Sequence, residues 1–269
     1  LHLSIRRQRQ MCIRDRVSRI SGIFRKGGIH IFHFAYKANA PEDRLLKIGD
    51  FVLSLSMPYS AGVFFLVMKL KPPKIIRHLF PSLIWEIDDP EGVFLTFDDG
   101  PTPGITEWIL AMLEKYDAKA TFFVLGKNVE AYPDLFRRIV DAGHKVGNHT
   151  YSHQKGWGMS LERYIEDVDF ANDLIHSELF RPPYARITPA QARALSQRYK
   201  LVMWDVLSRD YSRSLSPRKC LKNVTKHLEP GAIVVFHDSE KSFRNMRYAL
   251  PRTLDKIRKL GLKCKTIEL

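Results

Sequence analysis

The sequence predicts an α/β protein whose strands form a closed or nearly closed βα barrel, preceded by an irregular N-terminal extension. Two observations predict it. From Val93 onward, short apolar runs alternate with helical segments, and the polar residues able to do chemistry gather where the apolar runs end. Alternating β and α units imply parallel strands, in either an open doubly wound sheet or a barrel. In a barrel every strand end converges on one face, whereas an open sheet would leave several of them far apart, so the polar placement selects the barrel.

The elements follow in order. Strands are predicted at 93–97, 120–125, 144–149, 179–181, 200–205, 232–237 and 263–267, and helices near 105–116, 133–142, 160–176, 189–199, 217–228 and 248–260. The first helix has the clearest signature, with Ile105, Trp108, Ile109, Met112, Leu113 and Tyr116 on one apolar face. Gly143 and Gly261 stand where helices should stop.

The 269 residues are 45% apolar and 27% charged, ordinary soluble composition that excludes a disordered chain. The net charge of +14 would suggest an anionic partner, but it is unevenly spread. Residues 1–38 carry nine basic residues against Asp15 alone, which leaves only +6 for the rest. That basic beginning has no interleaved aromatics, so no nucleic-acid partner is expected. Cys12, Cys220 and Cys264 are an odd number without metal-type spacing, which argues against a disulfide framework and for a reducing compartment.

Residues 1–67 read as an irregular extension and 68–269 as the catalytic domain. The stretch "RRQRQMCIRDR", 6–16, resembles a translated sequencing adaptor, so the extension is expected to be non-native or dispensable, with Met68 as an alternative start. Residues 51–68 are uncharged over about the length that spans a bilayer, although Pro58 and three serines dilute the run. No signal-peptide pattern accompanies it. A cytoplasmic location is therefore the expectation, with membrane anchoring through 51–68 as the alternative.

The chemistry concentrates in five strings. "TFDDGP" (96–101) places Asp98 and Asp99 side by side at a strand end, where a plain turn is the ordinary explanation. "HTYSH" (149–153) holds two histidines four apart, which a helical turn would point the same way as ligands to a divalent cation, although such a pair alone is commonly a helix-surface feature. "RPPY" (181–184), "WDVLSRDY" (204–211) and "VVFHD" (234–238) complete the set. In this order the five resemble the motifs of the polysaccharide deacetylase family, the carbohydrate esterases of family 4, over roughly residues 90–269.

The resemblance implies a distorted barrel of about seven βα units and metal-dependent removal of acetyl groups from sugar polymers. It also implies the roles. Asp99, His149 and His153 hold the metal, expected to be zinc, with cobalt or nickel as alternatives. Asp98 is the general base, and Arg181 forks onto it to keep it ionised and oriented. The backbone N–H at Tyr184 helps bind the developing oxyanion. His237 is the general acid, with Asp210 favouring its imidazolium. Val235 and Tyr211 line the acetyl pocket. Ala185 and Tyr211 depart from the family's usual Gly and Trp, and Asp205 and Asp238 read as supporting or loop-capping residues. The cation would offset the repulsion between adjacent carboxylates, which need not share a role.

The expected activity is hydrolysis of the acetamido bond of an acetylated saccharide, with an acetyl-ester hydrolase or a carbohydrate-binding pseudoenzyme as alternatives. The full complement of catalytic residue types speaks against the pseudoenzyme. The sequence names neither the polymer nor the oligomeric state.

Overall fold

A computed structural model describes residues 82–269, together with the backbone of Leu45–Ile48 and Phe51–Ser54. The chain divides into two units, Leu1–Met57 and Pro58–Leu269. In the first, β1 (Leu45–Ile48) and β2 (Phe51–Ser54) pair antiparallel with Ile48 opposite Phe51. The adaptor-like stretch, Met68, Cys12 and most of the uncharged run 51–68 lie outside the described residues. Among the described residues, no helix is long and apolar enough to cross a membrane.

The second unit runs β3 (Leu83–Ile84), β4 (Gly92–Asp98), α1 (Ile105–Lys115), β5 (Thr121–Val124), α2 (Gly126–Ala131), α3 (Pro133–Asp141), β6 (Lys145–Asn148), α4 (Leu161–Ile175), β7 (Leu179–Phe180), α5 (Pro189–Leu195), β8 (Lys200–Val202), β9 (Val206–Leu207), α6 (Pro217–Thr225), β10 (Ile233–His237), α7 (Glu240–Lys259) and β11 (Lys263–Cys264). Its sheet has the order β3-β8-β7-β6-β5-β4-β10-β9, every pair parallel, and β11 pairs with the start of β4.

Side-chain alternation explains why β4 is buried on both faces. Val93, Leu95 and Phe97 point outward into a core shared with Ile109 and Leu113 of α1 and Leu250 and Leu254 of α7. Phe97 stacks on Phe122 at 5.1 Å and on Phe236 at 6.2 Å, which locks β4 between β5 and β10. Burying each such ring contributes about 1.5–3 kcal/mol. The opposite face of β4 and β5 carries Thr96, Asp98 and Phe123 into the barrel interior, where they meet Arg181 from the end of β7. Helix starts follow ordinary capping chemistry: the side chains of Ser160, Thr188 and Ser216 accept from the N–H groups of Arg163, Gln191 and Lys219.

The predicted strand 200–205 ends at Val202, and a separate short strand, β9, follows it at Val206–Leu207. After β8 the chain crosses over, the Met203 N–H bonding to Ile84 and the Asp205 N–H to Ile233 before β9 joins β10 on the far edge of the sheet. Glu86 bridges Ala232 across the same seam, which brings the β3 side of the sheet to the start of β10. Helix α7 begins at Glu240 rather than near 248, since its first two turns are too polar to show an apolar stripe. The short elements β3 and α2 were not predicted either, lacking the length for a periodic signal.

Candidate active site

Asp98 closes β4 and faces inward to Arg181, whose Nη1 donates to Asp98 Oδ1 at 2.6 Å. Arg181 follows β7 and is fully buried, a costly position for a charge unless it is paired and hydrogen-bonded. It is both. Nη1 also donates to Thr96 Oγ1, Nε to the Val202 carbonyl and Nη2 to the Met203 carbonyl, while the guanidinium lies 4.0 Å from the Phe123 ring centroid. The predicted fork onto Asp98 is therefore a single contact, because Nη1 is shared with Thr96 and the other two nitrogens serve the Val202 and Met203 carbonyls at the end of β8.

Asp99 leaves the strand with φ 84°, a left-handed conformation that separates its carboxylate from that of Asp98. The Asp99 carbonyl accepts from Asn128 Nδ2 at 2.8 Å. His149 Nε2 and His153 Nε2 lie 3.7 and 3.2 Å from Asp99 Oδ1, and the three donor atoms lie within 4.8 Å of one another. These histidines do not share a helical turn. They sit in the loop after β6, in which Thr150 and His153 both have positive φ. Asn148 Oδ1 accepts from the Thr150 N–H, Thr150 Oγ1 from the His153 N–H, and Asp167 Oδ1 from Ser152 Oγ, so side chains hold a backbone that a β-branched residue rarely adopts.

The electrostatics suit a cation. His149 is pushed down to about 4 by burial, which keeps it neutral, and its Nδ1 donates to the Arg181 carbonyl at 2.7 Å, leaving the Nε2 lone pair free. Burial would raise the Asp99 pKa, but His153, His237 and His149 outweigh it and hold the carboxyl well below the usual range. Asp99 Oδ1 is buried yet accepts no hydrogen bond. An ionised oxygen of this kind beside imidazole nitrogens is a donor set that fits a divalent metal with open positions.

His237 ends β10 directly opposite Asp98. Its Nδ1 lies 2.8 Å from Asp210 Oδ1, and its backbone N–H donates to Asp210 Oδ2. Burial opposes the charged ring, but the charge and hydrogen bond of Asp210, with smaller help from Asp99 and Asp98, push its pKa up to about 9. Asp210 is itself buried and also accepts from the Tyr211 N–H. The Tyr211 ring stands edge-on to His237 with centroids 4.9 Å apart. Val235 is fully buried, two residues before His237 on β10.

Tyr184 lies in a 3-10 turn, Pro183–Ala185, and is 59% exposed. Tyr184 and Ala185 have φ 58° and 54°, so Ala185 holds a left-handed conformation that a glycine would adopt at less cost.

Thr96, Thr106 and Asn245 also support the site and were not predicted in these positions, and Asp238, expected as a supporting or loop-capping residue, lies among them. Thr106 Oγ1 donates to Asp238 Oδ2 at 2.6 Å, the Asp238 N–H donates to the Asp98 carbonyl, and Asn245 Nδ2 to the Asp210 carbonyl. Thr96 was legible as the inward neighbour of Asp98 two residues along the strand. Asn245 had no such signal, since its partner is 35 residues away in sequence.

A family model described as polysaccharide deacetylase matches residues 87–203. A peptidoglycan-N-acetylglucosamine deacetylase of Bacillus cereus is 31% identical over 192 residues, covering 68% of this chain and 90% of that protein. A second protein of that name from Bacillus cereus is 36% identical over 154 residues, covering 55% of this chain and 56% of that one. Among solved structures, a peptidoglycan N-acetylglucosamine deacetylase in complex with 4-naphthalen-1-yl-N-oxidanyl-benzamide matches with TM-score 0.65 and 28% identity, covering 69% of this chain and 91% of that one.

Proposed function

This chain belongs to the polysaccharide deacetylase family, and from that premise we propose that it hydrolyses the acetamido bond of an N-acetylated saccharide with the help of a divalent metal. The observation that carries the proposal is the convergence of Asp99, His149 and His153 within 4.8 Å, between the Asp98–Arg181 and His237–Asp210 pairs. Asp99, His149 and His153 would hold the metal, with zinc favoured by two imidazoles and one carboxylate. The bound ion supplies Lewis-acid activation of water and of the acetyl carbonyl.

The chain's own residues do the rest. Asp98, hydrogen-bonded to Arg181, takes a proton from the attacking water. His237, protonated at neutral pH, gives a proton to the leaving nitrogen, while Asp210 stabilises the imidazolium and fixes its orientation. Tyr211 stands beside that nitrogen's path, and the N–H of Tyr184 offers a donor to the developing oxyanion. No covalent intermediate is required.

The two Bacillus cereus relatives are named for N-acetylglucosamine of peptidoglycan, which supports a glucosamine-containing polymer or precursor as substrate. A cytoplasmic setting would favour a soluble or lipid-linked precursor over the finished wall polymer. Acetate release from peptidoglycan, chitin oligomers, acetylated xylan and soluble N-acetyl sugars, assayed after chelation and again with added zinc, tests the proposal. Metal-dependent release from N-acetylated glycans is the expected result. Activity that survives chelation, or is confined to O-acetyl esters, would overturn it.

A further inference from the structure

The two candidate metal histidines are oriented from one short segment. His149 Nδ1 lies 2.7 Å from the carbonyl of Arg181, and His153 Nδ1 lies 3.2 Å from the hydroxyl of Tyr184. Between these two partners stand only Pro182 and Pro183, whose rings restrict the backbone and hold the partners at a set spacing. The His153 and Tyr184 rings also touch in a tilted contact, centroids 4.7 Å apart and planes inclined by 49°. Tyr184 gains little from burial, being 59% exposed, and it occupies a left-handed conformation that costs a non-glycine residue about 1 kcal/mol or more. An exposed aromatic held against its backbone preference, with its hydroxyl on a ligand histidine, calls for a reason at the site.

We propose that the Tyr184 hydroxyl is a positioning group for the metal centre, accepting the Nδ1 proton of His153 and so presenting its Nε2 lone pair toward Asp99. This rests on the metal-site reading above and is separate from the role of the Tyr184 backbone N–H. A neutral imidazole carries one ring proton. Were Nδ1 to accept from the tyrosine, Nε2 would hold that proton and could not bind a cation. With Nδ1 donating, Nε2 faces Asp99 Oδ1 at 3.2 Å as a free ligand. The Arg181 carbonyl can only accept, so His149 is already set the same way. The segment 181–184 thereby selects the binding tautomer of both histidines. Such outer partners of a metal ligand are worth about 10–100-fold in affinity, and the exposure of this one puts the expectation near the lower end.

The test is zinc titration of the chelator-stripped full chain against a chromophoric competitor, on wild type, Tyr184→Phe and Tyr184→Gln. Phe keeps the ring contact and removes the acceptor, whereas Gln restores a carbonyl acceptor. We expect the zinc Kd of Tyr184→Phe to rise about 10-fold with the metal-free melting temperature unchanged, and Tyr184→Gln to recover part of the loss. A wild-type Kd in Tyr184→Phe would overturn the proposal. So would a fall in metal-free melting temperature alongside the affinity loss, which would assign the tyrosine to loop folding. If wild type itself binds no zinc, cobalt or nickel, the metal-site reading fails instead, and the two failures are told apart by that first titration.

Discussion

Asp98 and Asp99 touch different partners although they are neighbours in the chain. Asp98 is locked to the buried Arg181, and Asp99 turns to the histidines of the β6 loop. Asp98→Asn should therefore keep its metal and lose roughly 10²–10⁴-fold in turnover, whereas Asp99→Asn should lose metal affinity itself. Metal content of the two purified variants decides this, and equal loss in both would contradict the division. His237 supplies a second residue-scale expectation. Asp210 raises its pKa to about 9, so activity of the metal-loaded enzyme should fall as pH rises, with the limb somewhat below 9 because a bound cation cancels the contribution of Asp99. In Asp210→Asn the largest raising influence is gone and the basic limb should move toward the ordinary histidine range. A limb that stays in place would show that His237 is not the group reporting it.

At the scale of elements, the junction of β4 with β10 carries the site. Asp238 ties the two strand ends to the loop before α1 through Thr102, Thr106 and the Asp98 carbonyl. A side chain at Gly100 would place its Cβ 2.2 Å from Asp238 Oδ2, so Gly100→Ala must push this tie apart, and a loss of both stability and turnover is expected. Burial and the nearby Asp99 raise the Asp238 pKa to about 8, with the Thr106 hydrogen bond opposing them. A carboxyl whose folded pKa lies above its ordinary value favours the fold most below that ordinary value, near 4, and its contribution is lost as pH rises through about 8. Melting temperature should accordingly decline from weakly acid toward pH 8, and the decline should be shallower in Asp238→Asn, which copies the protonated acid. An equal slope in the variant would exclude Asp238 as its source. The same junction shows what local patterning can reveal. The strand ends at Asp98 and His237 were legible because apolar runs stop there, but the crossing at 203–205 was not, since its hydrogen bonds go to Ile84 and Ile233 in distant parts of the chain.

For the whole molecule, every element that positions the site lies C-terminal to Met68. A protein beginning at Met68 is expected to keep its melting temperature and its rate of acetate release. If residues 51–68 anchor the chain, full-length protein should be found with membranes and the shortened form in the soluble fraction. A large loss of stability or rate on shortening would instead make the extension part of the working protein. Charge bears on the same comparison, because the first 38 residues carry more than half of the net +14. Removing them should weaken any binding to anionic surfaces, and co-sedimentation with anionic vesicles measures it.

The sequence by itself determined the alternation of strands and helices, the strand-end placement of Asp98, His149, Arg181 and His237, and the family that this order of motifs identifies. The first two are properties of apolar periodicity and of residue order along one chain, and the third rests on the resemblance of the motifs. Only the tertiary structure decided that His149 and His153 converge through a left-handed loop rather than a helical turn, that Arg181 spends one nitrogen on Asp98 and the others on the barrel lining, and that Tyr184 reaches His153. The physical reason is common to all three. Each depends on which groups burial leaves in need of a hydrogen-bond partner, and those partners come from segments that meet only in the folded chain.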